Sequence, residues 1–133
     1  EKQKYNIKIG DCAEKRDCIT YEKAVQYSLI TGDNNPIHFE TAEAYQSRYQ
    51  KLIAHGMILA GFISSVIGGI MPGSGCIYVR QTLNFKRPVF YGDTILTRIT
   101  VSSIDSDQKY VTLKTECFNQ KQDLVLDGEA VVI

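Results

Sequence analysis

Neither sign of charge predominates in this chain. Its 15 Lys and Arg balance 15 Asp and Glu, for a formal net charge of +0 at pH 7. Non-specific nucleic-acid binding rests on a basic excess and is therefore not expected, although a small local basic patch is allowed. Cysteine is sparse, at positions 12, 18, 76 and 117, and no pair has the CxxC spacing of a zinc or redox site. Free, packed thiols in a reducing compartment are expected, and nothing supports a Cys12–Cys18 disulfide. A membrane span is also missing. Residues 56–79 hold no charged side chain, but Gly68-Gly69 and Pro72-Gly73-Ser74-Gly75 interrupt them. The helical part, about 14 residues or roughly 21 Å, falls short of the roughly 30 Å of a bilayer's hydrocarbon core. No signal peptide opens the chain, which begins Glu1-Lys2-Gln3-Lys4. The cytoplasm is the expected location, or an organelle matrix if a leader was trimmed. No repeat, linker or low-complexity segment divides the 133 residues, so a single domain over 1–133 is expected.

Against this background one stretch stands out: Gly32-Asp33-Asn34-Asn35-Pro36-Ile37-His38. It sets a carboxylate and an imidazole five residues apart across a proline, and an apolar helix follows downstream. Two titratable groups on a rigid turn beside an apolar wall suit proton transfer. A continuous helix would point them roughly 140° apart. Pro36 breaks such a helix and drives Asn35 toward an extended conformation, so the two side chains must converge from a folded loop.

The first half reads as helical. Tyr5, Ile7 and Ile9 alternate over a short candidate strand at 5–9. Thr20 is a candidate N-cap for a helix over 21–30, which Gly32 would end. A short helix fits 41–49, and an apolar helix runs from about Gly56 to Ile70. The second half changes to period two: residues 77–85, 95–101, 111–117 and 124–132 alternate, with turns at 91–93, 105–107 and 119–122. Helices followed by a run of antiparallel strands define an α+β class. A helix apolar on nearly every side must be surrounded, which a sheet curling round it would satisfy.

Four ordered segments carry a resemblance. Tyr27-Ser28-Leu29-Ile30-Thr31-Gly32-Asp33-Asn34-Asn35-Pro36-Ile37-His38 matches in full a signature of an aromatic residue followed by Gly-Asp-x-Asn-Pro-aliphatic-His. His55-Gly56-Met57, Gly73–Tyr78 and Phe85–Asp93 follow in order. Together they resemble the MaoC-like dehydratases, and most of all their (R)-specific enoyl-CoA hydratases. The resemblance spans about residues 20–133; the first twenty match less clearly. It implies a hot-dog fold, an antiparallel sheet wrapped around a long central helix, and a homodimer. It implies a hydro-lyase adding water reversibly to trans-2-enoyl thioesters of coenzyme A or acyl carrier protein in fatty-acid metabolism. No cofactor, nucleic acid or membrane partner is implied. It makes Asp33 and His38 the catalytic pair, Ser64 a support for Asp33, and Gly56 the backbone N–H donor to the thioester carbonyl.

Hydration needs a base for the attacking water, an acid for C2 and donors for the developing enolate charge. Asp33 and His38 fit the first two roles, with His38 assigned to the water and Asp33 to the C2 proton; sharing of one water is the alternative. Gly56, at a helix start, offers an N–H without an intrahelical partner. Asn35 is expected to shape the turn before Pro36, and His55 to cap or pack, with contact to substrate as the alternative. Asp33, His38 and His55 lack the HExxH-like spacing of a metal site, so no metal is expected. Arg80, Lys86 and Arg87 are candidate partners for the carrier's phosphate, although charged residues on strands are usually just solvated faces, and they are not counted among the site residues. The competing readings are a hot-dog thioesterase, against which the Gly-Asp-x-Asn-Pro-x-His motif speaks, and a non-catalytic thioester binder, which need not keep both proton-transfer groups.

Overall fold

The computed structural model describes residues 5–39, 52–107 and 109–133. In chain order it has strand β1 (Cys12–Cys18), helix α1 (Tyr21–Thr31), a 3-10 turn (Pro36–His38), helix α2 (Ile58–Gly69), and strands β2 (Tyr78–Gln81), β3 (Asn84–Phe85), β4 (Thr94–Ile104), β5 (Val111–Phe118) and β6 (Leu124–Val132). The helix expected at 41–49 lies outside the described residues.

The strands form one antiparallel sheet in the order β1-β4-β5-β6-β2, with β3 also paired to β6. Alternation explains why they pair as they do. Ile95, Thr97, Ile99 and Val101 of β4 and Val111, Leu113, Thr115 and Cys117 of β5 all turn inward. In β6 the inward set shifts. Cys117 faces Leu126 and Phe118 faces Leu124, so Val125 is the extra residue of a bulge and is buried.

Helix α2 lies on the concave face of this sheet and touches β1, β4 and β5. It buries Ile58, Leu59, Ile63, Val66 and Ile67 in the same core as Ile95, Ile99, Leu113 and Leu126. An antiparallel sheet holding one apolar helix is the expected hot-dog arrangement. The helix is not surrounded within one chain, however. Its opposite face, with Gly61, Ser64, Ser65 and Gly68, is exposed. Among the described residues no helix is long and apolar enough to cross a membrane.

Two strand expectations are corrected. Residues 5–9 form no strand; Tyr5 and Ile7 pack on the core, the Tyr5 hydroxyl donates to Ile133 O at 3.1 Å, and main-chain pairing with the sheet begins where Gly10 N–H donates to Val101 O at 2.8 Å. The first strand is instead Cys12–Cys18, whose Glu14, Lys15 and Arg16 are exposed at the sheet edge. A charged edge strand resists pairing with other chains and shows no apolar alternation. The single run expected at 77–85 is divided in two, with a register shift between Tyr78 and Arg80.

Candidate active site

Helix α1 sets up the site. Thr20 caps it, its hydroxyl accepting from Lys23 N–H at 3.2 Å. It ends on Gly32, whose φ of 78° is one a side chain would disfavour and whose N–H donates to Ser28 O at 2.8 Å. The chain reverses there and releases Asp33 onto a loop. Asn35 then starts a 3-10 turn, its Oδ1 accepting from Ile37 N–H at 3.2 Å, with Pro36 as the first residue of the turn. Asn35 is thus found in the turn-shaping position.

This loop converges as its proline required. A carboxylate oxygen of Asp33 and ring nitrogens of His38 and His55 all lie within 4.8 Å of one another. His38 is buried, whereas Asp33 is exposed. His38 Nδ1 lies 2.8 Å from Ile53 O. A carbonyl only accepts, so Nδ1 carries the proton and Nε2 keeps a lone pair. Burial holds the pKa of His38 below 6.5, and the neighbouring His55 pushes the same way. The Ile53 carbonyl and Asp33 oppose this in part. Tyr91 OH donates to His38 O at 2.5 Å and pins the turn from the other side.

His38 opens into a groove of about 300 Å³ lined by Gly56, Phe85, Lys86, Arg87 and Val89. Gly56 lies in the turn before α2, and among the described residues its N–H has no hydrogen-bond partner. A Cβ at this position would stand 3.1 and 3.2 Å from the Phe85 ring, so glycine permits the close approach of helix start and groove wall. The structure therefore brings together Asp33, Asn35, His38 and Gly56. It places Ser64 elsewhere: exposed on α2, in a second groove with Met57, Ala60, Tyr78 and Arg80, and with no hydrogen-bond partner among the described residues.

Sequence reasoning missed several supports. Ser28 is buried on α1, and its hydroxyl donates to Asp33 O at 2.7 Å. His55 is 1% exposed and stacks on His38, ring centroids 3.9 Å apart. The carbonyl of Ile53 and the phenol of Tyr91 fix His38. Ser28 and Tyr91 both sit inside the quoted motif segments, which was the one available signal.

Comparison with known proteins fits this geometry. The MaoC like domain matches residues 8–120. An (R)-specific enoyl-CoA hydratase of Rhodospirillum rubrum is 38% identical over 128 residues, covering 96% of this chain and 88% of the relative. A mitochondrial 3-hydroxyacyl-(acyl-carrier-protein) dehydratase of Solanum lycopersicum is 34% identical, over 96% of this chain and 77% of the relative. The solved (R)-hydratase from A. caviae, described as involved in PHA biosynthesis, superposes with a TM-score of 0.91 at 34% identity, covering 96% of each chain. The chain belongs to the MaoC-like domain family.

Proposed function

We propose that this chain is an (R)-specific enoyl-CoA hydratase, or 3-hydroxyacyl-thioester dehydratase, that adds water reversibly to trans-2-enoyl thioesters of coenzyme A or acyl carrier protein. One observation carries the reading. In a chain of this family, the loop after α1 sets the Asp33 carboxylate within 4.8 Å of a ring nitrogen of buried His38, whose Nε2 is left free by the bond from Nδ1 to Ile53 O, at a groove that Gly56 borders.

His38 Nε2 accepts a proton from water as the water oxygen bonds to C3. The proton His38 has gained passes to the Asp33 carboxylate, which delivers it to C2, so the pair ends the cycle as it began. Such groups contribute about 10² to 10⁴ in rate. The Gly56 N–H meets the charge that develops on the thioester oxygen, an interaction whose loss costs about 10² to 10³.

Ser64 lies in a second groove within this chain, so its support of Asp33 in this reading requires a second copy of the chain to complete its setting. Strand β2 ends the sheet with an open edge, and Ile77, Val79, Phe85 and Met57 beside it are each about half exposed or more. Pairing of two copies there would cover this apolar strip and the bare face of α2, giving a homodimer of single MaoC-like hot-dog domains. The four free cysteines suit a cytoplasmic or organelle-matrix setting.

The test uses crotonyl-CoA, following loss of enoyl absorbance and release of free thiol together, with the product passed to (R)- or (S)-specific 3-hydroxyacyl-CoA dehydrogenase. Enoyl loss without thiol and an (R) product is expected. Thiol release would make the chain a thioesterase. No turnover of this or of enoyl carrier-protein substrates would leave a thioester binder.

A further inference from the structure

Asp33 is exposed, yet its main chain is tied on every side. Its N–H donates to Thr31 Oγ1 at 3.1 Å, and one carboxylate oxygen accepts from Asn35 N–H at 3.3 Å. Its carbonyl accepts twice: from the Ser28 hydroxyl at 2.7 Å and from His55 Nε2–H at 3.2 Å. The two donors also lie 3.4 Å from each other, so three atoms close into one buried cluster. The His55 ring is fixed between Tyr27, centroids 4.7 Å apart, and His38, centroids 3.9 Å apart at 33°. One imidazole therefore touches both members of the catalytic pair: the main chain of Asp33 through its edge and the ring of His38 through its face.

Packing alone does not explain an imidazole here. With Nε2 donating to Asp33 O, Nδ1 is an acceptor, and it is buried with no hydrogen-bond partner among the described residues. An orphaned buried acceptor is a cost to folding that a phenyl ring filling the same slot would avoid. The nitrogen is kept for what Nε2 does.

We propose that His55 and Ser28 are positioning residues for this reaction: a two-donor strut on the Asp33 carbonyl that fixes the distance and angle between Asp33 and His38. This inference rests on the hydratase reading of the same site. Neither residue touches the reacting atoms. Their contribution is orientation, and misplacing a catalytic group by about 1 Å can cost on the order of 10²-fold in rate.

The test compares Ser28→Ala, Ser28→Thr, His55→Phe and the double variant Ser28→Ala/His55→Phe. Each donor deletion is expected to lower kcat for crotonyl-CoA hydration by about 5- to 100-fold, with KM held within about twofold. Ser28→Thr, which keeps the hydroxyl, recovers most of the rate. His55→Phe melts no lower than the parent, because it removes the orphaned Nδ1 along with the donor. The double variant loses less than the product of the single losses, since both donors act on one carbonyl. Amide hydrogen exchange at Asn35, whose N–H is held by the Asp33 carboxylate, quickens in both deletions. That readout needs no turnover. Unchanged kcat and unchanged Asn35 exchange in both deletions would overturn the strut, as would a loss confined to KM. An inactive parent with quickened exchange in the variants would sink the hydratase reading and leave the strut standing.

Discussion

Gly128 of β6 is where the sheet has least tolerance, and substituting it puts a number on the fold around the site. A Cβ built there would lie 1.9 Å from Thr82 O and 2.8 Å from Thr82 C, where ordinary contact begins at 3.4 Å. Both atoms are backbone, so no side-chain rotation relieves the clash and the 82–83 segment must retreat. Two hydrogen bonds go with it: Thr82 N–H to Glu129 O, and Glu129 N–H to Thr82 Oγ1, each 2.9 Å. Losing both costs about 2 kcal/mol, and residual overpacking adds about 1–3 kcal/mol. The predicted loss for Gly128→Ala is about 3–5 kcal/mol, or roughly 10–20 °C in melting temperature for a chain of this size. Functional damage should follow, because β3 leads directly into Lys86 and Arg87, which with Phe85 line the groove at His38. Circular-dichroism melts of parent and variant read the first effect, and KM for crotonyl-CoA the second. A variant melting within about 2 °C of the parent would refute the close approach and the reasoning built on it.

Further outcomes are expected from the same structure. His38 must be neutral to take a proton, and its pKa is held below 6.5, so the acid limb of kcat/KM should fall at a pH below 6.5; a limb at or above that value would contradict it. The same shift acts on stability. As pH falls through 6.5 the unfolded chain gains the proton first, so stability from this group is lost between 6.5 and the lower folded-state value. Burial pushes the Cys117 thiol up to about 11, against a smaller opposing hydrogen bond from Thr97. Ellman's reagent at pH 8 should modify exposed Cys12 and Cys18 rapidly and Cys117 only on unfolding, and prompt reaction of all four would contradict this. Gly56→Ala sets a methyl 3.1 Å from the half-exposed Phe85 ring. The ring can yield, so the melting point should hold while the narrowed groove lowers kcat/KM about tenfold, chiefly through KM; unchanged kinetics would show that the groove is not used.

Where sequence and structure agree, a strong local rule was at work. Gly32, Asn35 and Pro36 prescribe a reversal with little freedom, so the meeting of Asp33 and His38 was legible from residue types alone. Strands β4 and β5 were legible for the same reason, since their alternation has one consistent buried face. β1 was illegible because its register with β4 is held by main-chain pairing and an exposed Arg98–Glu14 ion pair of 2.8 Å, not by apolar periodicity. The interruption of 77–85 was hidden too. It comes with the close approach of Thr82 to Gly128, two positions 46 residues apart. Ser28 and His55 were missed as site residues because their partner is a main-chain carbonyl, which no side-chain motif reports. The bare face of α2 was misread because a mostly apolar helix does not say whether its cover comes from its own chain or from another.

The central claim is that Asp33 moves a proton in enoyl-thioester hydration, and Asp33→Asn tests it most directly. Among the described residues the exposed carboxylate holds only the 3.3 Å bond from Asn35 N–H, so an isosteric amide should leave the fold intact. Crotonyl-CoA hydration rates and melting points are measured on the same preparations of parent and variant. The account predicts a rate loss of at least about 10² with the melting point unchanged. A variant that folds normally and keeps the parent's rate would contradict it.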